Sequence, residues 1–409
     1  MFLWLLVPWT LLLSTALGAV TKIGTSCTVT PLTDGSDDTP QILSAFKSCG
    51  NSGSISFLDG IYHINQIMDI TLTNSTVSLR GTWIWSTDIQ YWLSHSISVV
   101  YAKRSTAWRI GGRDFEIRGY GVVFDGNGQK WYDQNRNQGN QNGRPISLTL
   151  WNARNAVVDG ITWRQVQFWH TFVAHSQNIT MTNLDMNATS NSQYKTVNTD
   201  GIDTWNSKDI VLSNWTVSCG DDCISIKANS SNVHVSNVVC HESGGMCIGS
   251  IGKDAGVAEY VDDVVFDNIT LIHSSNAAWI KTYPSGPGHV KNITFKNIKF
   301  TDVNQPIYIS PCIYSYSNCD ASRLQISDVR WENISGTARY NVGAGIHCSG
   351  NAPCQNLTFE NIDIKQKSGA AVEYLCSNIA NQKTSGWRVL GLVLRISLSS
   401  SIIISLGGS

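Results

Sequence analysis

Asn178-Ile179-Thr180-Met181, Asp209-Ile210-Val211-Leu212 and Asn232-Val233-His234-Val235 state one pattern three times. Each begins with Asn or Asp and continues into a short run of alternating apolar residues. Upstream the pattern opens Asp114-Phe115-Glu116-Ile117 and Asn155-Ala156-Val157-Val158. Downstream it returns as Asp263-Val264-Val265-Phe266, Asn292-Ile293-Thr294-Phe295, Arg323-Leu324-Gln325-Ile326 and Asn356-Leu357-Thr358-Phe359. The steps between starts are mostly 23 to 33 residues. Period-two alternation rich in β-branched residues reads as strand, and the Asn, Asp and Gly residues between runs read as turns. Without amphipathic helices in between, steps of this size predict an all-β fold, the successive coils of a right-handed parallel β-helix. Asn residues one coil apart are then placed to stack in ladders. A β-sandwich would turn every 8–12 residues or so and would not repeat itself. Ahead of the repeats, Asp37-Asp38-Thr39-Pro40 supplies capping residues and a first-turn proline for a short helix over Thr39 to Lys47, placed to cap the N-terminal end.

The ends of the chain differ from its middle. Residues 1–18 read as a secretory signal: an apolar run through Leu11-Leu12-Leu13 leads to the small residues Ala16-Leu17-Gly18. Residues 19–382 carry the repeat and form one β-helix domain, with no Pro/Ser-rich linker dividing it. From Lys383 the repeat stops, and residues 383–409 are an atypical apolar tail on which no function is built. An exported chain accounts for two further features. Eleven Cys fit an oxidising compartment, and close spacings pair Cys27 with Cys49, Cys223 with Cys240, Cys312 with Cys319, and Cys348 with Cys354. Asn-X-Ser/Thr acceptor sites occur at Asn74, Asn178, Asn187, Asn214, Asn229, Asn268, Asn292, Asn333 and Asn356. No Cys or His spacing matches a zinc site, so no metal or other cofactor is expected. A net charge of −1 without a basic stripe argues against nucleic acid. The expectation is a secreted, extracellular, monomeric glycoprotein with no membrane partner.

Three carboxylates mark the centre of the chain. Asn198-Thr199-Asp200 and Gly220-Asp221-Asp222-Cys223 lie about one repeat apart, so stacking brings Asp200, Asp221 and Asp222 to one face. Converging acids suit acid–base work on a glycosidic bond. Asp also marks turns, yet the triplet at this spacing exceeds what turns require. On these motifs, and on Cys223-Ile224-Ser225-Ile226-Lys227 after them, the chain resembles glycoside hydrolase family 28, the polygalacturonase family, over roughly residues 25 to 380. The resemblance implies an inverting hydrolase with Asp221 as general acid and with Asp200 and Asp222 activating water. It leads one to expect the acid roughly 6.5–9.5 Å from the other two carboxylates.

Two later motifs depart from the polygalacturonase pattern. The family's Gly-His-Gly falls on Ser243-Gly244-Gly245, so Gly244 stands where His is expected, and His241 is three residues early. Its Arg-Ile-Lys falls on Trp279-Ile280-Lys281. The lysine that would hold a sugar carboxylate is kept, while a stacking face replaces the two-pronged arginine. These departures resemble the rhamnogalacturonan-acting and exo-galacturonase branch. Asn198, Trp279 and Lys281 are therefore the candidate substrate-binding residues. Early aromatic residues, among them Trp83, Trp85, Trp92, Trp131, Trp163 and Trp169, are candidate cleft walls, with extra loops closing one end. The expected partner is a pectic polysaccharide or oligosaccharide, cut from its end to release galacturonic acid. An α-L-rhamnosidase of the same family is the near alternative. A pectate lyase would need clustered calcium ligands and a basic residue to abstract the C5 proton, and a non-catalytic carbohydrate-binding β-helix would not need the triplet.

Overall fold

The computed structural model describes residues 20–315 and 317–380, and the backbone of Leu392–Arg395 and Ile402–Leu406. The expected signal, residues 1–18, lies outside the described residues, as does the tail 383–409 apart from that backbone. Within these limits the repeat becomes a right-handed parallel β-helix. One stack of strands runs Ile202–Trp205, Asp222–Ile226, Gly245–Ile251, Ala278–Thr282, Ile307–Ser310 and Val342–His347, each parallel to the last. A second runs Gln177–Asn187, Lys208–Ser218, Ser230–His241, Glu259–Ile272, Pro287–Val303, Arg323–Ala338 and Gln355–Gln366.

The Asn and Asp residues of the repeat are corners. Asp114, Asn155, Asn178, Asp209, Asn232, Asp263, Asn292 and Asn356 all have φ between 52° and 58°, the left-handed region that short polar side chains tolerate. Their side chains form ladders: Asn155 Nδ2 donates to Asp114 (2.7 Å), and Asn178 Nδ2 to Asn155 (3.0 Å). Five residues on, a second ladder runs through Asn183, Asn214, Asn237 and Asn268, in which each of the last three amides donates to the Asn one coil before and Asn183 donates to Asp159. On the coil whose pattern opens at Arg323, the corner is Asp328, with φ 54°. Lys291 pairs with Ser327 and Ile293 with Val329, which aligns Asp328 with Asn292. The alternation at Arg323-Leu324-Gln325-Ile326 is real strand, but an arginine gains nothing at a left-handed corner.

Seven of the nine acceptor asparagines are held by such bonds between coils, six of them in these ladders and Asn229 in a separate pair with Asn206. The Nδ2 of Asn178, Asn214, Asn229, Asn268, Asn292, Asn333 and Asn356 each donates to a side-chain oxygen one coil earlier. Asn74 is exposed, whereas Asn187 has a buried Oδ1 without a partner.

Between the stacks the interior is filled by inward side chains in register. Phe266, Phe295, Trp331 and Phe359 form one column, with centroids 5.0, 6.1 and 4.5 Å apart and rings nearly parallel. The helix Thr39–Cys49 caps the first coils, setting Phe46 against Phe57 (5.7 Å) and Trp108 (6.2 Å). Asp37 accepts from the Thr39 N–H (3.0 Å), while Asp38 binds the N–H groups of Leu32 and His63 (both 2.8 Å). The four expected disulfides form, Cys27–Cys49, Cys223–Cys240, Cys312–Cys319 and Cys348–Cys354. No helix of the described residues is long and apolar enough to cross a membrane.

Candidate active site

Alternation along the first stack decides what faces the cleft. Ile202, Ile224, Met246, Ala278 and Ile307 point into the core. Their neighbours Asp203, Ser225, Cys247, Trp279 and Tyr308 share one register on the other face. Two residues on, Gly249, Lys281 and Ser310 form a parallel column. At the start of these strands the chain delivers the three acids, and the Cys223–Cys240 disulfide ties the Asp-Asp turn to the following strand.

One oxygen each of Asp200, Asp221 and Asp222 lies within 4.8 Å of the others. This is the approach of their nearest oxygens, and the coil accounts for part of it. Hydrogen-bonded strands stack about 4.8 Å apart, so Asp200 and Asp222, at matching positions of adjacent coils, sit about that far apart, while Asp221 directly precedes Asp222 in the chain. Among the described residues this triad is also the one cluster of acidic, His or Cys groups close enough to hold a metal ion.

Their environments differ. Asp222 is buried and its Oδ2 accepts from Lys281 Nζ at 2.6 Å, while Oδ1 accepts from the Cys247 thiol at 3.1 Å. Burial would raise its pKa, but the Lys281 and Lys227 ammonium groups outweigh it and hold Asp222 below the usual carboxylate range. Asp221 is partly exposed, accepts from Asn198 Nδ2 (2.8 Å) and from the Asp222 N–H (2.9 Å), and is pushed up by burial and by the charge of Asp222. Asp200 is pushed well above the usual range by burial and then by Asp221, Asp203 and Asp222, and its Oδ1 has no hydrogen-bond partner. One carboxyl held toward the ionised form beside two held toward the protonated form is a division of labour suited to acid–base catalysis.

The candidate binding residues Asn198, Trp279 and Lys281 all lie around the triad. Lys281 is 3% exposed and its ammonium is committed to Asp222. Trp279 lies over that ammonium (4.2 Å from ring centroid to Nζ) and is stacked on Tyr308 at 6.0 Å, forming an aromatic floor on the C-terminal side of the triad. Asn198 orients Asp221, and its own Oδ1 accepts from the Asn140 N–H (2.9 Å). Gly244 is pressed on the triad: a Cβ there would come within 2.7 Å of Asp222 Oδ1. A histidine has no room at that position unless Asp222 shifts.

Four of the early tryptophans proposed as walls, Trp83, Trp85, Trp131 and Trp163, are instead core residues, as is Trp92. Period-two alternation reveals two faces without saying which is inside. The wall on the N-terminal side comes from elsewhere. Tyr101, on an inserted segment, packs on Phe172 (5.7 Å), Trp205 (5.1 Å) and Trp169 (6.4 Å), and covers the floor one coil before Asp203. Arg104 on that segment donates to Asn140 Oδ1 (2.7 Å), so two insertions meet above Asn198.

Several polar residues at the site were not anticipated. Asp203 is fully buried, and Lys227 Nζ lies 3.2 Å from its Oδ1 and 3.7 Å from Asp222 Oδ2. Burial raises Asp203 to about 6 against the opposing pull of Lys227. Its position, three residues after Asp200 on an alternating strand, was a usable signal. His170 is buried and lowered by that burial to about 4, with its N–H and Nδ1 on the Asp200 carbonyl (2.8 and 3.0 Å). Arg144 is buried at the end of the second insertion, where no pattern marks it.

Comparison with known proteins agrees with this architecture. The family model described as glycosyl hydrolases family 28 matches residues 65–385. An α-L-rhamnosidase of Aspergillus niger is 37% identical, the match covering 84% of this chain and 85% of that one. A putative galacturan 1,4-alpha-galacturonidase A of Aspergillus flavus is 36% identical over 88% of this chain and 92% of that one. The endo-xylogalacturonan hydrolase of Aspergillus tubingensis superimposes with a TM-score of 0.77 at 27% identity, covering 87% of this chain and 96% of that structure. On a match spanning most of its repeat and all three acids, the chain belongs to glycosyl hydrolases family 28.

Proposed function

We propose that this enzyme is a secreted, exo-acting, inverting pectin hydrolase that removes terminal galacturonic acid from galacturonan or rhamnogalacturonan chains. The observation that carries the exo reading is the one-sided cleft. Tyr101 and its aromatic partners fill the floor before the triad, and the Arg104–Asn140–Asn198 chain ties that wall to the acid. Beyond the triad, Trp279 and Tyr308 leave a stacking floor for the rest of the substrate. Relatives named galacturan 1,4-alpha-galacturonidase and exopolygalacturonase support the same substrate class.

In the mechanism, Asp221 gives its proton to the glycosidic oxygen as the bond to the anomeric carbon breaks. Asp222, held ionised by Lys281, stabilises the positive charge that develops on the sugar. A water on the opposite face attacks the anomeric carbon and passes its proton to Asp222, the ionised member of its pair with Asp200, whose Oδ1 has no other partner and is open to hold that water. Exchange with solvent then returns the proton to Asp221. Lys281 thus acts on the catalytic carboxylate.

The relative named as a rhamnosidase, together with Trp279 in place of arginine, favours release of α-L-rhamnose as the second reading. Chromatography of products from galacturonan oligomers, rhamnogalacturonan oligomers and an aryl rhamnoside decides between them. Free galacturonate from the first time points is expected. Early mixtures of oligomers overturn exo action, and free rhamnose alone overturns the choice of sugar. Proton NMR of the first product should show the inverted anomer.

A further inference from the structure

We propose that Arg144 is the carboxylate anchor of the terminal-sugar subsite and makes the enzyme select an acidic sugar. The inference rests on the proposed function and adds the residue that sets its specificity. Arg144 lies between the helix Gly128–Asn135 and the strand Pro145–Asp159, where the second insertion returns to the coils. Its Nε donates to the Gln167 carbonyl, but Nη1 and Nη2 have no acceptor although the residue is 1% exposed. The Phe168 ring carries this guanidinium at 5.0 Å and that of Arg104 at 5.6 Å from its centroid.

A guanidinium folded away from water for purely structural reasons needs its counter-ion beside it, because an uncompensated buried charge is strongly destabilising. Arg144 forms no ion pair among the described residues. Gln167, which accepts from Arg144, lies three residues before His170, whose N–H and Nδ1 both meet the Asp200 carbonyl, so the fork lies on the coil that adjoins the reaction centre, and Asp200 and Asp221 are among the charges that act on it. Neighbouring side chains are incomplete in the same way. Both amide atoms of Gln167, Nε1 of Trp169 and Nε2 of His170 are buried without partners.

A uronic acid completes this set. Its planar carboxylate spans Nη1 and Nη2 as a bidentate pair, and its hydroxyls serve the amide and imidazole. Rhamnose, with a methyl group at C6, would leave the fork unpaired. Arg144 thereby supplies, from the opposite side of the triad, the guanidinium that Trp279 displaced, while Lys281 is engaged by Asp222.

Thermal melting of the wild-type enzyme with galacturonate, galactose or rhamnose tests the idea without any substitution, since the first two differ only at C6. Galacturonate is expected to raise the melting temperature and the neutral sugars are not. In Arg144→Gln that shift should vanish, and kcat/KM on digalacturonate should fall about ten- to a hundred-fold, mainly through KM. Arg144→Lys, which keeps the charge without the fork, should recover part of the loss. Equal stabilisation of the wild type by galactose overturns the proposal, as does an Arg144→Gln enzyme that still responds to galacturonate. If the wild type releases only rhamnose, the proposed function falls as well. If it releases galacturonate while Arg144→Gln binds that sugar normally, this inference alone falls.

Discussion

Along the ladder face, Asn214, Asn237 and Asn268 each donate to the asparagine one coil before, and each coil repeats the solution of the last. Across the cleft face, Asp203, Ser225, Cys247 and Trp279 share one register and no common chemistry. The first face is complete once the coils stack. The second retains buried polar atoms that stacking leaves unpaired, including Asp200 Oδ1 and Trp279 Nε1. Self-similar positions carry stability, and positions that break the repeat carry chemistry.

Asp221→Asn strikes the second face hardest. The amide keeps the shape but has no acidic proton, so turnover should fall about 10²–10⁴-fold while the melting temperature stays close to wild type. Residual activity above about a tenth would remove Asp221 from the acid role. Trp331→Ala is its counterpart in the repeating core, where the ring stacks between Phe295 and Phe359. It should cost about 3–5 kcal/mol in urea unfolding with activity per folded molecule retained. A loss confined to activity would mean that the two regions are not separable.

Lys281→Met sharpens the contrast by acting through a carboxylate. The Lys281 charge lowers both Asp222 and Asp221, so removing it lets both titrate at higher pH. Asp222 must be ionised and Asp221 protonated, hence both limbs of the rate–pH profile should move upward. The loss should be about ten- to a hundred-fold at acidic pH, alike for every substrate the enzyme cleaves. A loss restricted to acidic oligomers with an unmoved profile would restore Lys281 as a substrate ligand. The smallest effect belongs to the ladder. Asn333 donates to Asn297 and accepts from Asn361, both at 2.9 Å, at φ 55°. Asn333→Ala should cost about 1–2 kcal/mol, and Asn333→Gly less, because glycine accepts the left-handed corner. Equal costs would assign the whole effect to the hydrogen bonds.

These differences also explain how far the sequence could be read. Corners that demand Asn or Asp, and strands that alternate, leave a periodic trace, so the coils and the triad were visible. The pattern opens at Arg323 in the sequence because alternation continues through it, whereas the left-handed turn falls at Asp328. Asp203 was legible in principle from its place on the alternating strand after Asp200. The ion pair of Lys281 with Asp222 joins residues 59 apart, which no local pattern encodes. Arg144 sits on an insertion without periodicity, so only the folded chain brings it near Asp200.

The close approach of the three acids has one more consequence. The spacing of Asp200 from Asp222 is inherited from a backbone hydrogen bond, since each step along the solenoid advances by the length that N–H···O=C pairing allows. The reaction geometry is therefore measured with a ruler that mutation cannot rescale. Evolution is left free to lengthen loops, close one mouth of the groove or exchange the sugar-facing side chains, all without disturbing the interval between Asp200 and Asp222.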